Sequence, residues 1–149
     1  MKIERMRPAD YDDLVGLWSC FPGNTMTGAD ERDNFLRFLR KNGDYCFVAR
    51  NGERLAGSVM AGNDSRRGYI YHLAVKESVQ GQGVGRRLME AAEDALRNAG
   101  IEKVHLFIYS DNPAIDFYRR TGWHVREDIQ VMSKVLIGDR HMGTRKKGD

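Results

Sequence analysis

Cysteine and proline are scarce in this 149-residue chain, and long apolar runs are absent. Cys20 and Cys46 are the only thiols, with no CxxC spacing, so the sequence offers no disulfide framework. Cys46 lies within YCFVAR and reads as a buried core residue. The N-terminal MKIERMRPADYDDL lacks the apolar stretch of a signal peptide, and no segment approaches the length of a membrane span. A soluble, cytoplasmic protein with no membrane partner is expected. A strong charge of one sign is also missing. The net charge of +3 argues for no nucleic-acid partner, although it suits a small anionic ligand. No metal is expected.

What is there is an ordinary globular composition, 41% hydrophobic and 30% charged. The length fits one domain with a real core, expected over residues 1–138. Residues 139–149, ending HMGTRKKGD, read as a basic, flexible tail.

MKIERM reads as a first strand, stopped by Arg7-Pro8. A helix follows in PADYDDLVGLW, with Pro8 at its first position and Leu14, Leu17 and Trp18 on one face. After the loop PGNTMTGAD, a second helix in ERDNFLRFLRKNG carries Phe35, Phe38 and Leu39 as a stripe and ends at Gly43. YCFVAR and RLAGSVMAG form a hairpin turning at Asn51-Gly52. NDSRRG turns into a third strand, GYIYHLAV. From Val84 to Gly100 the pattern is helical, with Val84, Leu88, Ala91, Ala92, Ala95 and Leu96 sharing a face. KVHLFIYS is a strand, NPAIDFYRRTG a short helix closed by Gly122, and WHVREDIQVMSKVL one or two final strands. The order is α+β, with antiparallel strands early and a strand–helix–strand crossover in the second half.

Between the third strand and the long helix stands KESVQGQGVGRRL, with glycines at 81, 83 and 85. A strand running through glycines into a helix aims backbone N–H groups and a positive helix end at one point, which is an anion site. GVGRRL lacks the lysine and hydroxyl of a P-loop. The GxGxG spacing, the mid-chain position and the placement of Glu102 before its strand exclude the dinucleotide fingerprint.

Gln80-x-x-Gly83-x-Gly85, after YIYHLAV and opening an amphipathic helix, resembles the acetyl-coenzyme A signature of the GNAT acetyltransferase superfamily. The likeness continues through KVHLFIYS and AIDFYRRTGW, so it covers roughly residues 44 to 136. The resemblance implies an α/β fold of the α+β kind: a mixed, mostly antiparallel central sheet flanked by helices, with a strand–glycine loop–helix–strand crossover. It implies an N-acetyltransferase with acetyl-coenzyme A as cosubstrate. The peptide N–H groups of Gln80, Gly81, Gln82, Gly83, Val84, Gly85 and Arg86 would surround the pyrophosphate. Gly83 and Gly85 would keep side chains out of the way, and Arg86 would add charge. The backbone of Leu73, Ala74 and Val75 would hold pantetheine.

The implied reaction is attack of a neutral amine on a thioester. An alkyl amine with pKa ~10.4 is neutral in fewer than about one molecule per thousand at pH 7, so a base must take a proton. The backbone N–H near Val75 is the family's usual donor to the thioester carbonyl. Tyr118 matches the tyrosine placed beside the coenzyme A sulfur and is the expected general acid; packing against Phe117 and Trp123 is its plain alternative. His72 is the base candidate, beside Tyr69 and Tyr71 on the strand where the family often carries a glutamate; a packed or hydrogen-bonded histidine is the alternative. Leu106 and Phe107, where ribosomal-protein N-terminal acetyltransferases carry a glutamate, argue against that subgroup. Asp30 and Glu31 stand near the variable acceptor-binding helix. Where the family has an asparagine for coenzyme A, SDNPAIDFY offers Asp111 at the usual spacing and Asn112 one residue later. The acceptor is expected to be the amine of a small molecule or protein, and a homodimer is compatible. Two other readings stand: a noncatalytic acyl-coenzyme A-binding module that has lost its base, and a nucleotide-binding regulator.

Overall fold

Five strands form one sheet in the order β1-β2-β3-β4-β5 in the computed structural model, which describes residues 1–21 and 26–138. They are β1 (Lys2–Arg5), β2 (Phe47–Asn51), β3 (Arg54–Asn63), β4 (Gly68–Val75) and β5 (Val104–Leu106). Neighbours run antiparallel from β1 to β4, and β5 joins β4 in parallel. The parallel step demands a crossover, which the helix α3 (Val84–Asn98) supplies. The basic tail at 139–149 lies outside the described residues, as does the loop at 22–25.

Side chains alternate across the strands, so each face of the sheet buries its own core. On one face α1 (Tyr11–Trp18) and α2 (Arg32–Asn42) lay Leu14, Leu17, Trp18, Phe35 and Leu39 against Val48, Leu55 and Met60. On the other, Val84, Leu88, Met89, Ala92 and Leu96 of α3 cover Ala49, Val59, Ala61 and Ile70. Met89 widens the expected helical face, while Ala91 and Ala95 sit at its partly exposed margin. The short helix α4 (Ile115–Arg120) packs Phe117 and Tyr118 beside the same cluster. The helices therefore flank a mixed sheet on both sides.

Several boundaries differ from the sequence expectation for local reasons. Pro8 opens a separate 3-10 turn, Pro8–Asp10, because Asp10 accepts from the Arg7 N–H at 2.8 Å and then binds Arg50. The Arg50 guanidinium is buried and also bonds Glu4, so β1, β2 and this turn share one ionic knot. Gly43 keeps right-handed backbone at φ −59° and leads into a 3-10 turn, Gly43–Tyr45, instead of stopping α2 in a left-handed cap. The hairpin loop is Gly52-Glu53, one residue later than expected, with Gly52 at φ +62°. Gly100 at φ +84° ends α3, where the N–H of Ile101 returns to Leu96 O and that of Gly100 to Arg97 O.

The final strands are a correction: residues 123–138 form no ladder. The alternation is present in the sequence, but β5 is short and these residues join no strand ladder among the described residues. Val131, Met132, Leu136 and Ile137 are correspondingly exposed. Alternation makes a segment competent for a strand; hydrogen-bonded pairing makes it one.

Candidate active site

The glycine loop starts at the end of β4. Val75 leads into a 3-10 turn, Glu77–Val79, and the Gln80 carboxamide donates back to Val75 O at 3.0 Å. The Gln80 N–H is taken by Glu77 O at 3.2 Å, so this residue braces the loop through both its backbone and its side chain. Gly81 and Gly83 then adopt φ of +80° and +79°, a conformation that side-chain-bearing residues resist. No atom lies within 4 Å of where a Cβ would stand on either one, so backbone conformation is what requires glycine there. The first intrahelical bond runs from Arg87 N to Gly83 O at 3.1 Å, leaving the N–H groups of Val84, Gly85 and Arg86 at the open helix end. Val84 itself is a core residue through its side chain, and Arg86 is exposed.

Gly85 is less constrained and lies close to α4. A Cβ there would meet the Phe117 ring at 3.4 Å and Val75 Cγ2 at 3.6 Å. Those distances are the near limit of ordinary contact, so α4 packs closely on the start of α3 with just enough room for a small side chain.

The strand before the loop has two unusual features. Its pairing with β5 stops at Ile70 and Leu106, yet β4 continues to Val75, so the strands part beside Leu73, Ala74 and Val75. Its register with β3 also slips between the pairs Ser58–Ala74 and Met60–Tyr71, setting His72 and Leu73 opposite Val59. His72 takes up the extra residue at φ +49°. The bulge rephases the alternation. Tyr71 and His72 consequently both face α1 and α2, with Tyr71 edge-on to Phe38 at 5.9 Å and His72 stacked on Trp18 at 4.2 Å.

A buried network holds that conformation. Trp18 Nε1 donates to Ser58 Oγ at 2.9 Å, and Ser58 Oγ donates to the His72 carbonyl at 3.0 Å. The His72 ring reaches Asp30 through Nε2 at 2.8 Å, with only 11% and 13% of the two side chains exposed. Asp30 closes the 3-10 turn Gly28–Asp30, and its other oxygen accepts from Thr27 N at 3.1 Å. Sequence reading named His72 and Asp30 separately. Their pairing, and the support from Trp18 and Ser58, were missed. The available signal was Ser58, a polar residue inside the apolar strand RLAGSVMAG that proves completely buried.

Tyr118 lies on the opposite face of the sheet, in edge contact with Phe117 at 5.2 Å and Trp123 at 5.8 Å. Burial lifts its hydroxyl to about 12, so it stays protonated at neutral pH and acts as a donor. Trp123 is itself fixed by donation to Glu93 at 3.0 Å. Asn112 accepts from Ala114 N at 2.9 Å, which engages its carboxamide oxygen at the approach to α4. Tyr69 stands away from His72, near His105 at 6.0 Å and Phe107 at 6.2 Å. Among the described residues no cluster of three or more His, Cys, Asp or Glu is placed to hold a metal, and no helix is long and apolar enough to cross a membrane.

The model of the Acetyltransferase (GNAT) family matches residues 12–123. An acetyltransferase of Pectobacterium atrosepticum is 31% identical over 145 residues, spanning 94% of this chain and 99% of that protein. Among solved structures, Naa20 of Chaetomium thermophilum, in complex with a bisubstrate analogue, superposes with a TM-score of 0.71 at 25% identity, covering 82% of this chain and 70% of that one. An aminoglycoside acetyltransferase from an uncultured soil metagenomic sample, in complex with sisomicin, gives a TM-score of 0.70 at 24% identity, over 91% of this chain and 96% of that one.

Proposed function

The chain belongs to the GNAT acetyltransferase family and is an acyltransferase, and from that premise we propose that it moves acetyl from acetyl-coenzyme A directly to an amine. The observation that carries the reading is a left-handed glycine cradle at an open helix end, reached from a strand that parts from its parallel neighbour. The N–H groups from Gly81 to Arg86 hold the pyrophosphate, and the freed edge of Leu73, Ala74 and Val75 holds pantetheine. Coenzyme A supplies the activated thioester. The reading places the protein in the cytoplasm, where its two free cysteines suit reducing conditions.

On this reading His72 takes a proton from the acceptor ammonium, and the neutral nitrogen attacks the thioester carbonyl as the carbon–sulfur bond breaks. The nitrogen sheds two protons in all; one ends on the thiol of coenzyme A and the other is released. Tyr118, with a pKa of about 12, is a weaker acid than an ordinary thiol, whose pKa is ~8.5. Its hydroxyl therefore stabilises the departing thiolate as a hydrogen-bond donor, and full proton transfer from it is uphill. The noncatalytic alternative rested on the want of a base with a carboxylate. Asp30 against His72 weakens that ground.

Direct transfer requires that no acetyl-enzyme form. Burial pushes the Cys46 thiol up to about 12, which leaves it inert as a nucleophile. Incubation with acetyl-coenzyme A and no amine leaves the intact protein mass unchanged. Stoichiometric acetylation of Cys20, discharged by added amine, would contradict direct transfer.

A further inference from the structure

We propose that Asp30 is a positioning residue that fixes the tautomer of His72, so that the turn Gly28–Asp30 sets the proton-removing group for the acceptor. The proposal rests on the reading of His72 as the base. An ionised carboxylate only accepts hydrogen bonds, so the ring proton of neutral His72 lies on Nε2, facing Asp30 Oδ1 at 2.8 Å. The lone pair then lies on Nδ1, the nitrogen nearer the β4 backbone. There the strand has parted from β5.

Ring and carboxylate are both locked. The Trp18 indole stacks on the imidazole at an interplanar angle of 17°, and the bulge is pinned by Ser58. Asp30 Oδ2 accepts from Thr27 N, which leaves Oδ1 for the ring. Tyr11 donates to the Asp30 carbonyl at 2.7 Å, and Asn34 donates to Gly28 O at 2.7 Å. The backbone strain at His72, a β-strand residue held at φ +49°, persists because this surrounding network over-determines it. Tyr11 of α1 bonds the Asp30 backbone and feels the charges of Asp30, Asp12 and Arg32, while Glu31 and Tyr71 are the chain neighbours of Asp30 and His72. Arg32 lies 4.7 Å over the Tyr11 ring and bonds Asp12, so its charge is shared with α1.

The arrangement makes Asp30→Asn a sharp test. The Thr27 N–H still needs an acceptor, so the Asn carboxamide oxygen turns toward it and the NH₂ turns toward His72. The ring must then accept at Nε2 and carry its proton on Nδ1, which inverts the tautomer.

The experiment is NMR of the ¹⁵N-labelled His72 ring in wild type and Asp30→Asn, together with acetyl-transfer kinetics. The expected result is a neutral ring protonated on Nε2 in wild type and on Nδ1 in the variant. Acetyl-transfer kcat falls ~10²-fold or more with KM for acetyl-coenzyme A unchanged. Asp30→Glu restores the tautomer and part of the rate. A wild-type ring protonated on Nδ1 overturns the proposal without any variant. So does a folded Asp30→Asn protein with an unaltered ring tautomer, or with an unaltered rate. The ring readout needs no substrate, so failure of acetyl transfer and failure of the pair are separately visible.

Discussion

The Tyr118 hydroxyl is one oxygen atom on a ring that also packs against Phe117 and Trp123. Tyr118→Phe keeps the packing and removes the donor. We expect kcat to fall ~10²-fold, with affinity for coenzyme A little altered, in a steady-state assay where chemistry limits turnover. An unchanged kcat removes Tyr118 from the chemistry. Gly83 is different, because its need is conformational. Gly83→Val forces a β-branched side chain into left-handed backbone at a cost of about 1–2 kcal/mol, yet nothing stands within 4 Å of the new Cβ. The protein should therefore fold, and thermal scans should show no stabilisation by coenzyme A. Both residues were legible in the sequence, since glycine in a strand–helix junction and tyrosine ahead of Gly122-Trp123 each stand in a recognisable spacing. The His72–Asp30 pair was not. It joins residues 42 apart in the chain, and the bulge that turns His72 toward Asp30 carries no glycine or proline to announce it.

Among the elements, α3 was read to within a residue or two because its signals are local: an apolar face, a glycine opening and a glycine close. The segment 123–136 was misread because its fate depends on a partner strand, and periodicity carries no information about partners. The 3-10 turn at Pro8–Asp10 was missed for a similar reason: Asp10 answers to Arg50, 40 residues away. That ionic knot gives a prediction at this scale. Asp10→Ala leaves the buried Arg50 charge short of one partner and should cost about 3–5 kcal/mol, read from the urea midpoint at constant m-value. Replacing both residues with apolar ones, as Asp10→Leu with Arg50→Met, should recover most of the loss. If Asp10→Ala alone is neutral, the knot contributes nothing to joining β1, β2 and the turn.

For the whole molecule, stability should depend on alkaline pH in a defined direction. Burial holds the Cys46 thiol and the Tyr118 hydroxyl protonated up to about 12, against ordinary values of 9.0 and 10.0. The native state keeps protons that the unfolded chain releases, so stability is undiminished below pH 9 and falls as the pH rises toward 12. The Cys46 share is on the order of 4 kcal/mol, and Cys46→Ala should flatten the earliest part of the slope in pH-dependent urea titrations. Ligand linkage acts at the same scale: coenzyme A at a hundredfold excess over Kd adds about 2.7 kcal/mol to a protein that binds it only when folded. The most direct test of the account is simultaneous measurement of free thiol and acetylated product from acetyl-coenzyme A over a panel of small-molecule and peptide amines. The account predicts amide and thiol in equal amounts with at least one amine class, and loss of both in Gly83→Val. Saturable coenzyme A binding with no amide from any amine in the panel would contradict it.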